Sequence, residues 1–395
     1  MGFSSVPLLD ARPEATAKEQ SIREGTTQDA DFTDGPRVSF MSEPPAVFDL
    51  ADLGWDQRRS EEWASHADKG WVAGRVATEG KHAYRVVTMD GEREAVLPGK
   101  LSRLPSAELP KVGDWVGAER LPGEEKLRIQ TFLTRRAKLV RKDAGKSVEE
   151  QVLAANVDLV FAVQPLDDRF NPRLLERHLV MAREGGACPV VVLNKADLCR
   201  DLKGAEQLAR EAAPGVEIFT VSAKTRLGMA RLRQALTAGQ TAVFLGASGV
   251  GKSSLVNRLY GESVQETRAV RDTDGKGRHT TTSRELILLP GGGLVIDTPG
   301  LREFHLWSTA EGLAQSFQDI LEWGRGCRFR DCAHVSENPC AVKDAVARGL
   351  LDPARYASYI KLSAEATAVS RDRRPPKLKG GKRPRPGEED WQHED

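Results

Sequence analysis

Three patterns along the 395-residue chain predict a multidomain fold: an N-terminal β-barrel, a central α/β domain and a C-terminal α-helical module built around a metal site. Short alternating segments broken by turns run from 70 to 137. Apolar strands alternate with helical patterns over 148–308, as a doubly wound sheet requires. Helical spacing resumes over 309–362, interrupted by a cluster of cysteines.

Composition excludes some classes. The 58 Lys+Arg nearly balance 57 Asp+Glu, so no global field points to nucleic acid. Locally, seven Lys/Arg fall between Arg128 and Lys146 and eight between Arg371 and Arg385, runs able to neutralise phosphates or simply to form a solvated face. No span is apolar and long enough to cross a membrane. Residues 1–45 are polar, with scattered Pro and Gly, and read as a disordered extension; Met41 is an alternative start. The charged tail, 363–395, reads as disordered too.

In the first module, WVAGRVAT, HAYRVVTMD, EAVLPGKL, DWVGAER and LRIQTFL are strand-like, with turns at MDGE and VGDW. A barrel of this size fits an OB-fold, a fold that often binds oligonucleotides.

The second module carries the most chemistry. Gly246-Ala247-Ser248-Gly249-Val250-Gly251-Lys252-Ser253 fits GxxxxGK[ST], between the strand TAVFL and the helical SSLVNRLY that begins with Ser253 and Ser254. Backbone N–H groups of such a loop wrap phosphates, Lys252 reaches the β- and γ-phosphates, and Ser253 holds Mg²⁺. Asn194-Lys195-Ala196-Asp197 ends the strand CPVVVL; a carboxylate there suits the N1–H and 2-amino edge of guanine, which adenine lacks. Ser222-Ala223-Lys224, after VEIFTV, suits a second base-contacting loop. Asp297-Thr-Pro-Gly300 ends another strand, where Asp297 would hold the Mg²⁺ shell through water and the Gly300 N–H would sense the γ-phosphate. The polar stretch GKGRHTTTS, 275–283, fits a switch segment; Thr281 is the expected Mg²⁺ ligand, with Thr280 and Thr282 as alternatives.

These five GTPase motifs occur in the order four, five, one, two, three. Termini of compact α/β domains lie close together, so a chain cut elsewhere can still build the same pocket. The central module is therefore expected to be a circularly permuted P-loop GTPase.

The last module contains CRFRDCAHVSENPC, with Cys327, Cys332, His334 and Cys340 spaced as a Cys₃His set suited to one closed structural zinc site. Cys188 and Cys199 lie apart from it.

Together, the barrel, GASGVGKSS, GRHTTT, DTPG, QVLAANVDLVFAV, RLLERHLV and CxxxxCxHxxxxxC resemble the bacterial RsgA/YjeQ family over residues 70–362. The family comprises circularly permuted GTPases dependent on the small ribosomal subunit. The resemblance implies a cytoplasmic, monomeric factor that binds the 30S subunit and 16S rRNA late in assembly and cycles between GTP and GDP. It also implies hydrolysis stimulated by the subunit. A rival expectation is an rRNA-binding assembly chaperone in which GTP only switches affinity. Two departures stand out: the N-terminal extension, and LPGK where members often carry a Cys/Arg-rich loop. After DTPG comes Leu301, which cannot orient an attacking water as the glutamine of Ras-like enzymes does. The resemblance points to His279 as the catalytic substitute, since imidazole can orient or deprotonate water near neutral pH.

Overall fold

The computed structural model describes residues 48–80, 83–142, 150–261, 284–297 and 310–372. The extension 1–45, most of the tail, His279, Thr280, Thr281, Thr282, Gly300 and Leu301 lie outside the described residues.

Strands β1 (Val72–Glu79), β2 (Tyr84–Thr88), β3 (Gly91–Val96), β4 (Trp115–Arg120) and β5 (Leu127–Phe132) form the barrel. Consecutive antiparallel pairs run β1–β2–β3, a parallel pair joins β3 to β5, and β4 closes the ring on both β5 and β1. The alternation read in the sequence turns Val76, Val86, Ala95, Val116, Ala118, Leu127 and Ile129 into the barrel interior.

One element lies outside the sequence expectation. Phe48–Lys69 folds against the barrel through helix α1 (Gln57–Trp63) and a 3₁₀ turn. Asp56 caps α1 by accepting from the Arg59 N–H, and Arg59 is itself buried. Its guanidinium donates to Thr134 O at 2.6 Å and Asn156 Oδ1 at 2.6 Å. Arg75, fully buried in β1, donates to Gly113 O and Asn156 O, both at 3.1 Å. Two buried cations thus satisfy carbonyls at the junction of barrel, linker and α/β domain, where an isolated charge would be expensive.

The α/β domain contains strands β8 (Leu159–Pro165), β9 (Cys188–Asn194), β10 (Ile218–Thr220), β11 (Thr241–Leu245), β12 (Glu285–Leu288) and β13 (Leu294–Asp297). Their order is β10-β9-β8-β11-β13-β12, parallel except for the antiparallel strand β12. Successive residues face opposite layers. Phe161, Val163, Val192 and Phe244 meet α4 (Met229–Gln234) and α5 (Lys252–Tyr260). Ala162, Val191 and Leu193 meet α2 (Pro172–Glu184) and α3 (Leu202–Ala212). Burial of each Val, Leu or Phe among these contributes about 1.5–3 kcal/mol. Asn171 starts α2 as N-cap, accepting from the N–H groups of Arg173 and Leu174, and Pro172 fits the first helical position. Strand β12 also pairs with β1 at Glu285 and Thr78, so barrel and α/β domain share one continuous sheet. A hairpin, β6 (Lys138–Lys142) with β7 (Glu150–Ala155), joins the two.

Helices α6 (Ala310–Ser316), α7 (Gln318–Gly324), α8 (Ala341–Ala347) and α9 (Pro353–Asp372) form the C-terminal module. The helical pattern AEGLAQSFQDILEW is broken at Phe317, which leaves helical geometry and buries its ring against Tyr359 at 5.5 Å. Helix α9 runs past 362 to Asp372, because Leu362 and Ala366 still face the core. Helix α6 approaches α2 so closely that a Cβ on Gly312 would lie 2.7 Å from Val180 O.

Within the basic run, Arg135, Arg136 and Lys138 are committed to structure, and Lys146 lies outside the described residues. Arg135 pairs with Asp114 at 2.7 Å and donates to Ala107 O and Leu109 O; Arg136 pairs with Asp56 and Lys138 with Glu150. Among the described residues no helix is long and apolar enough to cross a membrane.

Candidate nucleotide and metal sites

Parallel strands direct their C-terminal ends to one edge, where ligands of open α/β sheets bind. Asn194-Lys195-Ala196-Asp197 follows β9, Ser222-Ala223-Lys224 follows β10, Gly246–Ser253 follows β11, and Asp297 ends β13. The four segments, dispersed over a hundred residues, therefore converge because their strands are neighbours.

Asn194, 2% exposed, joins three of the loops. Its Nδ2 donates to Val250 O in the P-loop at 2.8 Å, and its Oδ1 accepts from the Ala223 N–H at 3.2 Å. Gly251 sits at φ 97°, and a Cβ there would lie 2.3 Å from Asn194 Nδ2. Glycine is needed at that position for both reasons. The Lys252 ammonium donates to Gly246 O at 2.8 Å and Ala247 O at 2.9 Å, curling the loop around a positive charge. Ser253 and Ser254 are exposed at the start of α5.

At the base end, buried Ser222 donates its hydroxyl to Asp197 Oδ1 at 2.5 Å and accepts from the Thr225 N–H at 3.1 Å. The Asp197 carboxylate is thus oriented while remaining exposed. Arg258 of α5 donates to Ala223 O at 2.9 Å, so the helix that begins at the P-loop also supports this second loop. Lys195 adopts the left-handed conformation, φ 66°, and its ammonium reaches Asp167 Oδ2 at 3.2 Å. Neither Asp167 nor Arg258 stood out in the sequence; both act through long-range contacts, and the only local sign was the acidic–basic PLDDRF after β8.

Cys327, Cys332, His334 and Cys340 bring one ligand atom each to within 4.8 Å of one another. The Cys327 and Cys340 sulfurs are 3.8 Å apart, and His334 Nδ1 lies 3.5 Å and 3.4 Å from them. A tetrahedron with Zn–S near 2.3 Å and Zn–N near 2.0 Å has S–S edges of about 3.8 Å and S–N edges of about 3.5 Å. The donor set fits a zinc ion in chemistry, and the Cys327, His334 and Cys340 donors fit it in dimensions, with Cys332 within 4.8 Å of each. Burial holds the His334 pKa down, which keeps the imidazole in the neutral form that ligates metal.

The surrounding groups fix those donors. The Glu337 carboxylate accepts from the N–H groups of Ala333, Val335 and Ser336 at 2.9–3.0 Å, and the Tyr356 hydroxyl donates to His334 O at 2.5 Å. Glu337 lay inside the cysteine motif, yet nothing in spacing alone distinguished it from a solvated acid.

The metal module is bolted to α2. Arg355 pairs with Asp319 at 2.6 Å and with buried Glu176 at 3.0 Å, and its guanidinium lies 4.7 Å from the Phe317 ring centre. Arg173 pairs with Asp352 at 2.6 Å and Arg177 with Glu365 at 2.7 Å.

The family described as RsgA GTPase is matched by residues 132–307. A small ribosomal subunit biogenesis GTPase RsgA of Opitutus terrae is 44% identical over 335 residues, covering 82% of this chain and 91% of that protein. A protein of the same name from Streptomyces coelicolor is 43% identical over 323 residues, covering 80% and 86%. The crystal structure of YjeQ from Thermotoga maritima superposes with a TM-score of 0.57 at 28% identity, over 75% of this chain and 99% of that one. YloQ, described as a circularly permuted GTPase, gives 0.55 at 26% identity, over 78% and 97%. Identity of this extent, on a permuted motif order and a shared fold, establishes that the chain is a GTP hydrolase belonging to the RsgA family.

Proposed function

We propose that this GTPase acts in late maturation of the small ribosomal subunit, binding the 30S particle through 16S rRNA and hydrolysing GTP when the particle stimulates it. The ribosomal role is drawn from the names of its relatives. The single observation carrying the nucleotide assignment is Asn194, whose one amide ties base loop to P-loop. In this reading Asp197, oriented by Ser222, reads the guanine edge, Lys195 lies against the base, and Ala196 and Ala223 contribute backbone. Lys224 flanks that second loop.

Gly246, Ala247, Ser248, Gly249, Val250 and Gly251 wrap the phosphates, and Lys252 neutralises them. Ser253, with Asp297 acting through water and Thr281, holds the Mg²⁺ that compensates phosphate charge; Gly300 senses the γ-phosphate. His279 orients the attacking water, a role Leu301 cannot perform. Cys327, Cys332, His334 and Cys340 hold one structural zinc, which stiffens the helical module. The barrel and GTPase modules take the boundaries 70–137 and 148–308, the helical module runs from 309 to the end of α9 at Asp372, and the protein works as a cytoplasmic monomer.

The test is GTP turnover by the full chain with and without purified 30S subunits, with ATP as competitor. Subunit-stimulated turnover insensitive to ATP supports the reading. Turnover unchanged by subunits, despite binding to them, would favour the affinity-switch alternative.

A further inference from the structure

We propose that Asp167 and Arg169 are positioning residues for nucleotide: Asp167 aims the Lys195 ammonium, and Arg169 ties that carboxylate to the P-loop. The inference rests on the reading of Lys195 as a base contact.

Lys195 is a long, flexible side chain whose backbone is held in the left-handed region. An ammonium on such a stem loses considerable rotamer freedom when it lies along a base. A fixed counter-charge removes part of that cost before nucleotide arrives. Asp167 supplies it, with Oδ2 3.2 Å from Lys195 Nζ and a carboxylate only 16% exposed. The carboxylate is in turn held by its own turn. Its Oδ1 accepts from the Arg169 N–H at 3.0 Å, and its Oδ2 takes the Arg169 guanidinium at 2.6 Å. The Arg169 side chain and these bonds keep the Asp167 pKa well below the usual carboxylate range, so the counter-charge persists at any working pH.

The guanidinium faces the P-loop. One Arg169 nitrogen lies 3.5 Å from Gly249 O, and another would lie 3.2 Å from a Cβ built on Gly249. At 3.5 Å this is electrostatic contact rather than a full hydrogen bond. Its effect is to join three loops in a chain: base loop through Lys195, the loop after β8 through Asp167, and the phosphate loop through Arg169. Asp168, the adjacent exposed acid, takes no part in these bonds and serves as an internal control.

A positioning role through Lys195 predicts non-additivity, which a merely structural role does not. The full chain is titrated with a fluorescent GDP, as Asp167→Asn, Lys195→Met, the double variant and Asp168→Asn. Asp167→Asn is expected to weaken GDP about tenfold, the loss of roughly one charge-assisted interaction. The same change in the Lys195→Met background should cost under about twofold, since its target is gone. KM for GTP should rise while kcat at saturation moves little, and Asp168→Asn should match the parent. Arg169→Gln should shorten GDP residence by a smaller factor. Equal losses in both backgrounds, or no loss in Asp167→Asn, overturn the proposal while leaving the base site standing. An unaltered GDP affinity in Lys195→Met overturns both the proposal and the reading it rests on.

Discussion

Asn194 and Gly251 meet across the nucleotide pocket, with the amide nitrogen where any β-carbon on residue 251 would have to be. The contact explains why the motif after β9 and the phosphate loop after β11 are one structural unit. Gly251→Ala must displace either the P-loop or the amide, and its φ of 97° adds strain. It should abolish measurable GTP binding. Asn194→Ala removes two buried hydrogen bonds and leaves Val250 O and the Ala223 N–H unsatisfied. A loss of about 2–4 kcal/mol in unfolding free energy is expected, together with weaker GTP, read by denaturant melts and nucleotide titration. Retained stability and affinity would show that the loops hold without the bridge.

In the proposed reading Asp197 selects the base. With an amide at that position, a donor faces the guanine 2-amino group, which needs an acceptor. Asp197→Asn should weaken GTP and favour xanthosine nucleotides, whose 2-oxo group accepts. The Ser222 hydroxyl, 2.5 Å from the carboxylate, fixes its rotamer, so Ser222→Ala should give a weaker loss of the same kind. Unchanged GTP affinity in Asp197→Asn would remove this residue as the base reader.

Lys252 and His279 separate binding from chemistry. Lys252→Ala removes the charge around which the P-loop curls and should abolish hydrolysis and greatly weaken GTP, with zinc content unchanged. His279→Ala should keep GTP binding and lose 30S-stimulated turnover by about 10²–10⁴-fold, the usual contribution of a general acid or base. Full stimulation in that variant would move the role to another group.

Much of this architecture was legible because its signals are local and periodic. Alternating burial in β1–β5, buried runs such as VVVL and TAVFL, and the glycine spacing of the P-loop each lie within a few residues. The segment Phe48–Lys69 was not legible, because its place depends on Arg59 meeting Asn156 across 97 positions of sequence. The break at Phe317 was hidden for a related reason: the helical period continues through it, and only packing against Tyr359 selects the kink. Within the site, Asn194, Asp197 and the cysteines announced themselves by motif. Asp167, Arg258 and Glu337 act by holding other groups, and a residue whose role is to support a distant partner leaves no spacing pattern.

Acid should destabilise the GTPase domain through one histidine. His178 of α2 is fully buried; burial, with the charges of Lys252 and Arg177, pushes its pKa down to about 4 from 6.5. The folded state therefore keeps it neutral, while the unfolded chain takes up a proton below pH 6.5. Its contribution to stability is complete above 6.5 and is lost as pH falls toward 4. Unfolding free energy should drop by about 2 kcal/mol from this residue between pH 7 and pH 5. His178→Phe, which cannot titrate, should flatten that part of the profile. A parallel profile in parent and variant would assign the acid sensitivity elsewhere.

The last prediction concerns how nucleotide state reaches the metal module. Helix α2 follows β8 at the nucleotide edge and carries Glu176, Arg173 and Arg177, which grip Arg355 and Glu365 of α9 and Asp352 just before it. Displacing α2 or the chain after β13 must therefore displace the module, provided the module is stiff. A zinc ion held by Cys327, Cys332, His334 and Cys340 would supply that stiffness by joining the segment after α7 to the start of α8. Cys332→Ala should lower zinc content and 30S affinity and largely erase the difference between GTP- and GDP-bound forms in 30S binding. GTP affinity in isolation should stay near normal, because none of the four cysteine-cluster residues belongs to the nucleotide-binding loops. Linkage gives an independent check, since 30S subunits must raise GTP affinity in the parent by the factor that GTP raises 30S affinity. A variant that still distinguishes GTP from GDP on the subunit would direct attention to the other connection, the pairing of β12 with β1. That bridge joins the barrel to the strand that follows the proposed switch stretch, 275–283, in sequence, and Glu79 of β1 reinforces it by pairing with Lys111 and lying 4.0 Å from Arg284.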